Sequence, residues 1–459
     1  MQVPLEQLRN ALGPNGVLDG DAAAGRAEGW SRLGTPLAIL RPTNTSEVST
    51  AIRLCAQARV PIVPWGGKTG LVEGALADGA CALSLERMQR IQQMDAANCT
   101  MTVQAGCILQ QVCEAAEAAD LLFPLDLGAR GSATIGGVIS TNAGGNRVVR
   151  FGMMRELVLG LEAVLADGTV VSSLYPFIKN NTGYDLKQLF IGSEGTLGVV
   201  TQAVLRLRPR LQSQNVAFAS LASFADVIKA LRRLEARLGG QLSAFEVMWS
   251  TFYELVTTAP ANGRSVLEPG QPYYVLIESL GGNTEHDEAA FEAALAELLE
   301  QNVLRDVAIA RSKSECDAIW ALRDDAGQVR RLGPLVAFDV SFILSRIEAF
   351  DRELRKILRG HWPQAVPVLF GHVGDGNIHV NVCNVEPSPQ TRAALCAAVY
   401  HLVHAMGGCI SAEHGIGLDK RPYLSLSRTP EELALMRLLK SALDPCNILN
   451  PGKILEQPV

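Results

Sequence analysis

Two periodicities divide the chain into an early part with short strands and a later part with longer helices. From about residue 33 to 210, short runs of Val, Ile and Leu alternate with glycine, which is typical of strands joined by tight turns. Apolar residues recur at helical spacing there only at 46–58 and 109–119. The early part is therefore predicted to be strand-rich, with turns that can approach a ligand closely.

The pattern changes after residue 210. Apolar residues recur every three or four positions at 222–238 and 284–301, and strand-like runs cover 273–279 and 335–343. This alternation of helices and strands predicts a separate α+β domain.

The last stretch is mainly helical, with its clearest helices at 391–405 and 430–443. We therefore divide the chain into domains at 1–210, 211–389 and 390–459. The predicted fold class is α+β.

Length and charge narrow the function classes. A chain of 459 residues with 48% hydrophobic residues is long enough for two or three domains with buried cores. Its 41 basic and 47 acidic residues include no basic run, so nucleic acid is not an expected partner. The chain starts without the pattern of a secretory signal, and no apolar stretch is long enough to cross a bilayer, so we expect a cytoplasmic protein without a transmembrane segment. Ten cysteines without a C-x-x-C pair predict neither an iron-sulfur cluster nor a disulfide framework.

Three glycine-rich segments carry the first chemical signal, at 61–70, 123–146 and 181–198. Clustered glycines let consecutive backbone N–H groups turn toward a pyrophosphate. The spacing fits neither a P-loop nor a Rossmann fingerprint. One such segment is as easily an ordinary tight turn, but three within this part of the chain predict a large anionic cofactor.

Taken together, these segments closely resemble the PCMH-type FAD-binding domain of the vanillyl-alcohol oxidase superfamily. The most similar branch contains D-2-hydroxyglutarate dehydrogenase, D-lactate dehydrogenase and the flavin subunit of glycolate oxidase, and the resemblance extends from about residue 35 to 455. It implies two subdomains that clasp FAD, an α+β cap domain for the substrate, and a C-terminal helical segment that returns to the flavin. The cofactor-binding positions that we infer are Trp65, Gly66, Gly67, Lys68, Thr69, Gly70, Leu71, Asp126, Gly128, Thr134, Gly136, Gly137, Asn142, Gly144, Glu194, Gly195, Val199 and Asn450.

Lys68 bears on how the cofactor is held. Some members of the superfamily attach FAD covalently through a histidine in the first glycine loop, where this chain has Lys68 after Gly66 and Gly67. An amine cannot replace imidazole in that linkage, so we expect non-covalent FAD.

A histidine hairpin carries the second chemical signal. Asp375-Gly376 is typical of a type I′ turn, and the flanking residues alternate in polarity as in a strand. If those two residues form the turn, His372 lies directly opposite His379 and the two imidazoles share a face. Such a pair can bind one metal ion, although packed histidines without a metal are an equally good interpretation.

A carboxylate and a third histidine favour the metal. Glu413 and His414 lie on a glycine-flanked turn at 411–417, and two histidines with one carboxylate and an open position describe a catalytic metal site. In the family that the chain resembles, the positions of His372, His379 and Glu413 bind Zn²⁺ or a similar divalent metal, and the position of His414 holds the catalytic base. Asn381 matches a residue that binds the substrate carboxylate.

These features predict an FAD- and divalent-metal-dependent dehydrogenase that oxidises a D-2-hydroxy acid to the 2-oxo acid. The alternatives are a metal-dependent hydrolase, which leaves the glycine segments unexplained, and a non-catalytic flavin-binding subunit of a larger oxidase, which has no need of the histidine and glutamate set. The resemblance also implies an electron acceptor such as an electron-transfer flavoprotein or a quinone, and a homodimer is possible.

The chain differs from this branch at the positions that bind the tail of the substrate. Relatives that oxidise hydroxyglutarate surround its distal carboxylate with an arginine, a threonine and a lysine. The arginine matches Arg323, but Gly327 and Ala337 occupy the other two positions. We therefore expect D-lactate or another acid with a small or apolar tail to be handled at least as well as D-2-hydroxyglutarate.

Overall fold

The structure, a computed structural model, describes residues 3–261 and 263–456. Helices and strands occur along the whole described chain. The helices are α1 (Leu5–Leu12), α2 (Asp21–Ala24), α3 (Thr45–Gln57), α4 (Leu109–Ala118), α5 (Ile135–Ser140), α6 (Val148–Phe151), α7 (Met154–Leu157), α8 (Phe224–Arg237), α9 (Ser250–Thr257), α10 (Thr284–Glu300), α11 (Lys313–Asp324), α12 (Leu344–His361), α13 (Pro389–Ala405) and α14 (Pro430–Leu443).

The strands are mostly short before residue 199 and longer after it. They are β1 (Val17–Leu18), β2 (Ala38–Leu40), β3 (Ile62–Trp65), β4 (Cys81–Ser84), β5 (Ile91–Asp95), β6 (Thr100–Gln104), β7 (Leu121–Leu122), β8 (Val158–Val164), β9 (Val170–Ser173), β10 (Val199–Arg206), β11 (Arg208–Pro209), β12 (Ser213–Leu221), β13 (Leu242–Trp249), β14 (Tyr273–Gly281), β15 (Asp306–Ile309), β16 (Leu335–Ser341), β17 (Val366–Gly371) and β18 (Asn377–Cys383).

The predicted helices begin where local capping chemistry starts them. Asn44 accepts the backbone N–H of Glu47 at the start of α3, and Asn283 does the same for His286 at the start of α10. At α14, Thr429 and Glu432 form a capping box with Pro430 in the first turn. The helices and strands that we predicted from periodicity are confirmed within a few residues at each end.

The chain divides into two compact units. The first comprises the chain up to Gly144, then Gly152–Pro209, and the part from Glu413 on; the second comprises Gly145–Phe151 and Arg210–Ala412. The division at 209/210 falls one residue from our predicted domain boundary. Residues 390–412, which we expected in a separate C-terminal segment, belong to the second unit because α13 packs against α12 and Tyr400 contacts the ring of Phe338.

Two main sheets form the first unit. The smaller has the order β1-β2-β4-β3, in which β2 and β3 both run parallel to β4. The larger is antiparallel with the order β5-β6-β10-β8-β9. The C-terminal part of the chain returns to β3 through a parallel bridge between Leu449 and Ile62. This return brings residues 449 and 450 beside the strand that precedes the first glycine loop.

The second unit is built on one antiparallel sheet of seven strands with the order β15-β12-β14-β13-β17-β18-β16. An aromatic cluster lies on one face of this sheet, with Tyr253 stacked on Tyr274 and Phe252 stacked on Phe370. These rings form a buried core together with apolar residues of α9 and α11. The core packs α11 against β12 and β14, close to two buried glutamates, Glu246 and Glu278.

The ten cysteines are free thiols. Among the described residues, we find no helix whose length and hydrophobicity would let it cross a lipid bilayer.

Candidate functional site

The first glycine loop follows β3 directly and passes very close to another part of the backbone. A Cβ on Gly67 would lie 2.0 Å from the carbonyl oxygen of Ser132, and one on Gly66 would lie 2.5 Å from Oγ1 of Thr134. That hydroxyl caps α5 by accepting the N–H of Gly137. Glycine is therefore required here because the loop lies against the segment that begins α5.

A cavity of about 320 Å³ in the first unit is lined by all three glycine segments. All of the predicted cofactor residues except Asp126 and Asn142 line it. The carboxylate of Asp126 instead pairs with Arg130 at 3.1 Å, and Oδ1 of Asn142 accepts the N–H of Arg155 at 2.9 Å. The cavity thus unites segments that are more than 100 residues apart in the chain, as one extended ligand would require.

Asn450 reaches this cavity from the C-terminal part of the chain. Its N–H donates to the carbonyl of Ile62 at 2.7 Å, and its Nδ2 donates to the carbonyls of Gly74 and Glu194 at 3.0 and 2.7 Å. Its Oδ1 is buried and has no hydrogen-bond partner within the part of the chain that the structure describes. A buried acceptor without a partner is costly, so a bound ligand with an N–H group would suit this position.

Glu194 holds the turn that carries His414. Its carboxylate is buried and accepts the N–H groups of Ile416 and Gly417 at 2.7 and 2.9 Å. Burial raises the pKa of the Glu194 carboxyl, and these two donors only partly oppose that shift. As a result Glu413 and His414 line the cavity, with Nε2 of His414 3.7 Å from Oε1 of Glu413.

Lys68 adopts a left-handed backbone conformation with a φ of 57°. Its ammonium donates to the carbonyl of Arg26 at 2.8 Å and lies 5.5 Å from the ring centre of Trp65. The side chain is therefore held by the protein itself.

The predicted turn of the histidine hairpin in the second unit is wrong. Residues 373–375 form a short 3-10 turn, and of Asp375 and Gly376 only Gly376 has a positive φ, whereas a type I′ turn needs both. The connection between β17 and β18 is therefore five residues long, 372–376, and His379 pairs with Phe370 rather than with His372. Because this shift is two residues, His372 and His379 still share a face, diagonally, with ring centres 5.3 Å apart.

A buried carboxylate that we did not predict holds His372. Nδ1 of His372 lies 2.7 Å from Oε1 of Glu246, while Nε2 lies 3.0 Å from Nη2 of Arg323. Arg323 also donates from Nε to Oε2 of the same glutamate at 2.9 Å. Burial alone would raise the pKa of the Glu246 carboxyl, but the neighbouring His372 and Arg323 outweigh it and lower that pKa to about 2.

The other predicted residues of the second unit lie on the same strand pair. Nδ1 of His379 is 3.9 Å from Oδ1 of Asp339, which is buried on β16. Asn381 is next along this face of β18, and Ala337 is its direct partner on β16. The sheet thus brings His372, His379 and Arg323 together, with Asn381 two residues beyond His379.

One sequence signal could have revealed Glu246. It is the single charged residue in β13, whose eight residues are all buried. A lone carboxylate in a buried strand needs a polar partner, since an unpaired buried charge is very unfavourable. Trp30, which also lines the cavity of the first unit, carried no comparable signal.

Comparisons with known proteins agree with this architecture. Residues 36–173 match the FAD binding domain family, and residues 210–454 match the family of FAD linked oxidases, C-terminal domain. The mitochondrial D-2-hydroxyglutarate dehydrogenase of Bos taurus is 40% identical over 431 residues, which cover 93% of this chain and 78% of that protein. The D-2-hydroxyglutarate dehydrogenase of Xanthomonas citri pv. viticola is 40% identical over 435 residues, which cover 93% of this chain and 91% of that protein.

Solved structures show the same fold at low sequence identity. That of p-cresol methylhydroxylase with substrate bound superposes with a TM-score of 0.77 at 17% identity, covering 98% of this chain and 96% of that one.

The fold and the cavity define a flavoprotein oxidoreductase of the PCMH type. The chain belongs to the family of FAD-linked oxidases, in the branch of the D-2-hydroxyglutarate dehydrogenases. This assignment favours the oxidoreductase hypothesis over the metal-dependent hydrolase.

Proposed function

We propose that this protein is an FAD-dependent dehydrogenase that oxidises the C2 hydroxyl of a D-2-hydroxy acid, with a divalent metal and His414 as the base. One observation carries the proposal: His414 lines the same cavity as the glycine segments, so a proton acceptor lies beside the space suited to the cofactor. The class of substrate is inferred from the relatives named D-2-hydroxyglutarate dehydrogenase.

The first unit fits FAD in three respects. The loop at 66–70 offers backbone N–H groups for the pyrophosphate, the cavity joins all three glycine segments, and Asn450 presents a buried acceptor that has no partner among the described residues. FAD supplies the hydride-accepting chemistry when it is bound. We propose that it is bound without a covalent bond, since Lys68 lies where a histidine would be needed.

The second unit fits one part of a metal site. Nδ1 of His372 hydrogen-bonds a buried carboxylate, so Nε2 is the ring nitrogen that would bind an ion in place of its contact with Arg323. Such carboxylate–histidine pairs are usual behind metal ligands. The ring of His379 lies next to it. We propose His372 and His379 as ligands of Zn²⁺ or a similar ion, with Glu413 as the third ligand on the basis of the family resemblance. When bound, the ion lowers the pKa of a coordinated hydroxyl.

His414 and Asn381 have separate roles in this proposal. A neutral imidazole of His414 accepts the proton of the substrate hydroxyl at a ring nitrogen. The amide of Asn381 donates a hydrogen bond to the C1 carboxylate. Because a base takes the hydroxyl proton, C2 can lose hydride without the build-up of a protonated carbonyl.

The surroundings of Arg323 support a substrate with a small or apolar tail. The charge of Arg323 is already balanced by Glu246, and Ala337 provides no cation beside Asn381. A Cβ on Gly327 would have no atom of the described residues within 4 Å, so no described side chain fills the position of the threonine of the hydroxyglutarate branch there. Arg331 cannot substitute, because its guanidinium donates to the carbonyls of Leu255, Thr258 and Ala259. We therefore propose D-lactate or a similar acid as at least as good a substrate as D-2-hydroxyglutarate.

The flavin spectrum tests the reaction directly. The purified protein is expected to be yellow, and anaerobic addition of D-lactate or D-2-hydroxyglutarate should bleach the flavin, while the L enantiomers should not. A colourless protein that cannot be reconstituted with FAD, or a flavin that no D-2-hydroxy acid bleaches, would overturn the proposal. Electron-transfer flavoprotein and quinone analogues tested as acceptors for the reduced protein would then identify the oxidising partner.

A further inference from the structure

A fork of three buried side chains in the second unit joins a candidate metal ligand to a candidate substrate residue. Glu246 accepts from His372 through Oε1 and from Arg323 through Oε2, and Arg323 closes the triangle by donating from Nη2 to Nε2 of His372. Glu246 is 1% exposed and the side chains of His372 and Arg323 are 6% and 11% exposed. Bulk water therefore competes little for these hydrogen bonds.

The geometry determines which ring nitrogen of His372 carries the proton in this arrangement. A guanidinium has only donors, so Nε2 of His372 must accept, and Nδ1 must then hold the ring proton and donate to Glu246. This tautomer presents the Nε2 lone pair away from Glu246. In the triangle, that lone pair is used by Arg323.

We propose that Glu246 is a positioning residue for both partners, and that Arg323 and a divalent ion compete for Nε2 of His372. The inference rests on the metal centre of the proposed function. One lone pair cannot serve a metal ion and an N–H donor at once, so metal binding releases Nη2 of Arg323. The guanidinium itself stays in place because its Nε bond to Glu246 does not involve His372.

The N–H group of Arg323 that metal binding releases from His372 can contribute to substrate binding. A guanidinium N–H that no longer donates to His372 can donate to a carboxylate, so we infer that metal binding lets Nη2 of Arg323 contact the C1 carboxylate that every D-2-hydroxy acid carries, whatever its tail. By thermodynamic linkage, an anion that binds Arg323 then tightens metal binding by the same factor. The fork would thus couple loading of the ion to recognition of the substrate anion.

The experiment measures Zn²⁺ affinity rather than activity. FAD-loaded protein is stripped of metal, and its Zn²⁺ dissociation constant is measured by equilibrium dialysis with elemental analysis, in the absence of substrate. Glu246→Gln should weaken Zn²⁺ binding about tenfold to a hundredfold, the usual effect of losing a carboxylate behind a histidine ligand. Arg323→Gln should tighten it about tenfold, because the competing donor is gone.

A second buried glutamate of the same sheet that is also paired with an arginine provides the matched control. Arg147 donates to the fully buried Glu278 on β14, and the other side chains that donate to this carboxylate are those of Gln214 and Trp320. Glu278→Gln should lower the stability to a similar degree as Glu246→Gln but leave the Zn²⁺ dissociation constant within about twofold. An equal loss of Zn²⁺ affinity in both variants would mean that Glu246 acts only through stability, and would overturn its positioning role.

Arg323→Lys separates competition from simple repulsion of the cation. Lysine keeps the charge but has one nitrogen, which we expect to pair with Glu246 and to leave Nε2 of His372. Tighter Zn²⁺ binding in both the Lys and the Gln variant supports competition for Nε2, whereas tightening in the Gln variant alone assigns the effect to charge and overturns it. A wild-type protein that binds no Zn²⁺ would overturn the proposed metal centre as well. Normal Zn²⁺ binding by wild type and by Glu246→Gln overturns this inference alone.

Discussion

The carboxamide of Asn450 donates to the backbone carbonyl of Glu194 at 2.7 Å, across 256 residues of sequence. Glu194 in turn accepts the N–H groups of Ile416 and Gly417, on the turn that carries His414. The last part of the chain is thus connected twice to the third glycine segment. The cavity of the first unit is therefore completed by residues from the far end of the sequence.

Asn450→Ala tests whether these hydrogen bonds of Asn450 complete the cavity. The substitution leaves the carbonyls of Gly74 and Glu194 without their donor, at a cost of about 1 to 3 kcal/mol for a buried polar group. We expect FAD to dissociate more readily, by about tenfold or more, as measured by the flavin released on dilution. Asn447→Ala, close by in sequence but outside the cavity lining, is the control and should keep the wild-type affinity.

The mode of flavin attachment gives the second prediction. Because Lys68 replaces a histidine that could form a covalent link, acid or heat should release all of the flavin into the supernatant. The absorbance at the flavin maximum in the supernatant and in the washed pellet measures this. Flavin that remains with the denatured chain would contradict the prediction.

Removal of either hairpin histidine is expected to abolish metal binding but not flavin binding. His372→Ala and His379→Ala should each lose bound metal and activity while FAD stays bound, since neither residue belongs to the unit whose cavity we propose for FAD. Metal analysis beside the flavin spectrum checks both effects in one sample. His401→Ala on α13 is exposed and should behave as wild type. Full metal content in both hairpin variants would show that these histidines only pack.

His414→Ala should slow flavin reduction while leaving FAD and metal in place. Loss of a general base usually costs about two to four orders of magnitude in rate. Stopped-flow measurement of the rate at which substrate bleaches the flavin gives the value. Reduction near the wild-type rate would mean that another group takes the proton.

Ala337→Lys tests the preference for the substrate tail. The added ammonium lies opposite Asn381 on the sheet and offers a charge-assisted contact of about 1.5 to 3 kcal/mol to a second carboxylate. The ratio of kcat/KM for D-2-hydroxyglutarate to that for D-lactate should therefore rise about tenfold or more. Ala337→Gln, similar in length but neutral, is the control. If wild type already prefers D-2-hydroxyglutarate by about a hundredfold, our substrate proposal is wrong.

Local interactions explain what could be predicted from the sequence. Asn44, Asn283 and Thr429 cap helices through residues only three positions away, so the helix starts are visible in the sequence. The glycine segments were visible for a similar reason, because glycine is needed wherever backbone passes close to backbone. His372 and His379 share a face of the sheet, as predicted, even though the predicted turn type is wrong. Side chains in a strand alternate with a period of two, so an error of two residues in register leaves the face unchanged.

Partners that are distant in sequence were decided only by the tertiary structure. His372 contacts Glu246, 126 residues away in the sequence, and Arg323, 49 residues away. Nothing in the sequence around any of these three residues specifies its partners. The same holds for Gly145–Phe151, a short stretch between two parts of the first unit that packs into the second, where Arg147 meets Glu278. By itself, the sequence determined the main helices and strands, the glycine segments that line the cavity and the histidines, because each depends on residues close together in the chain. Only the folded sheet decided which buried charges neutralise one another, since pairing depends on strand order and register, which local sequence does not encode.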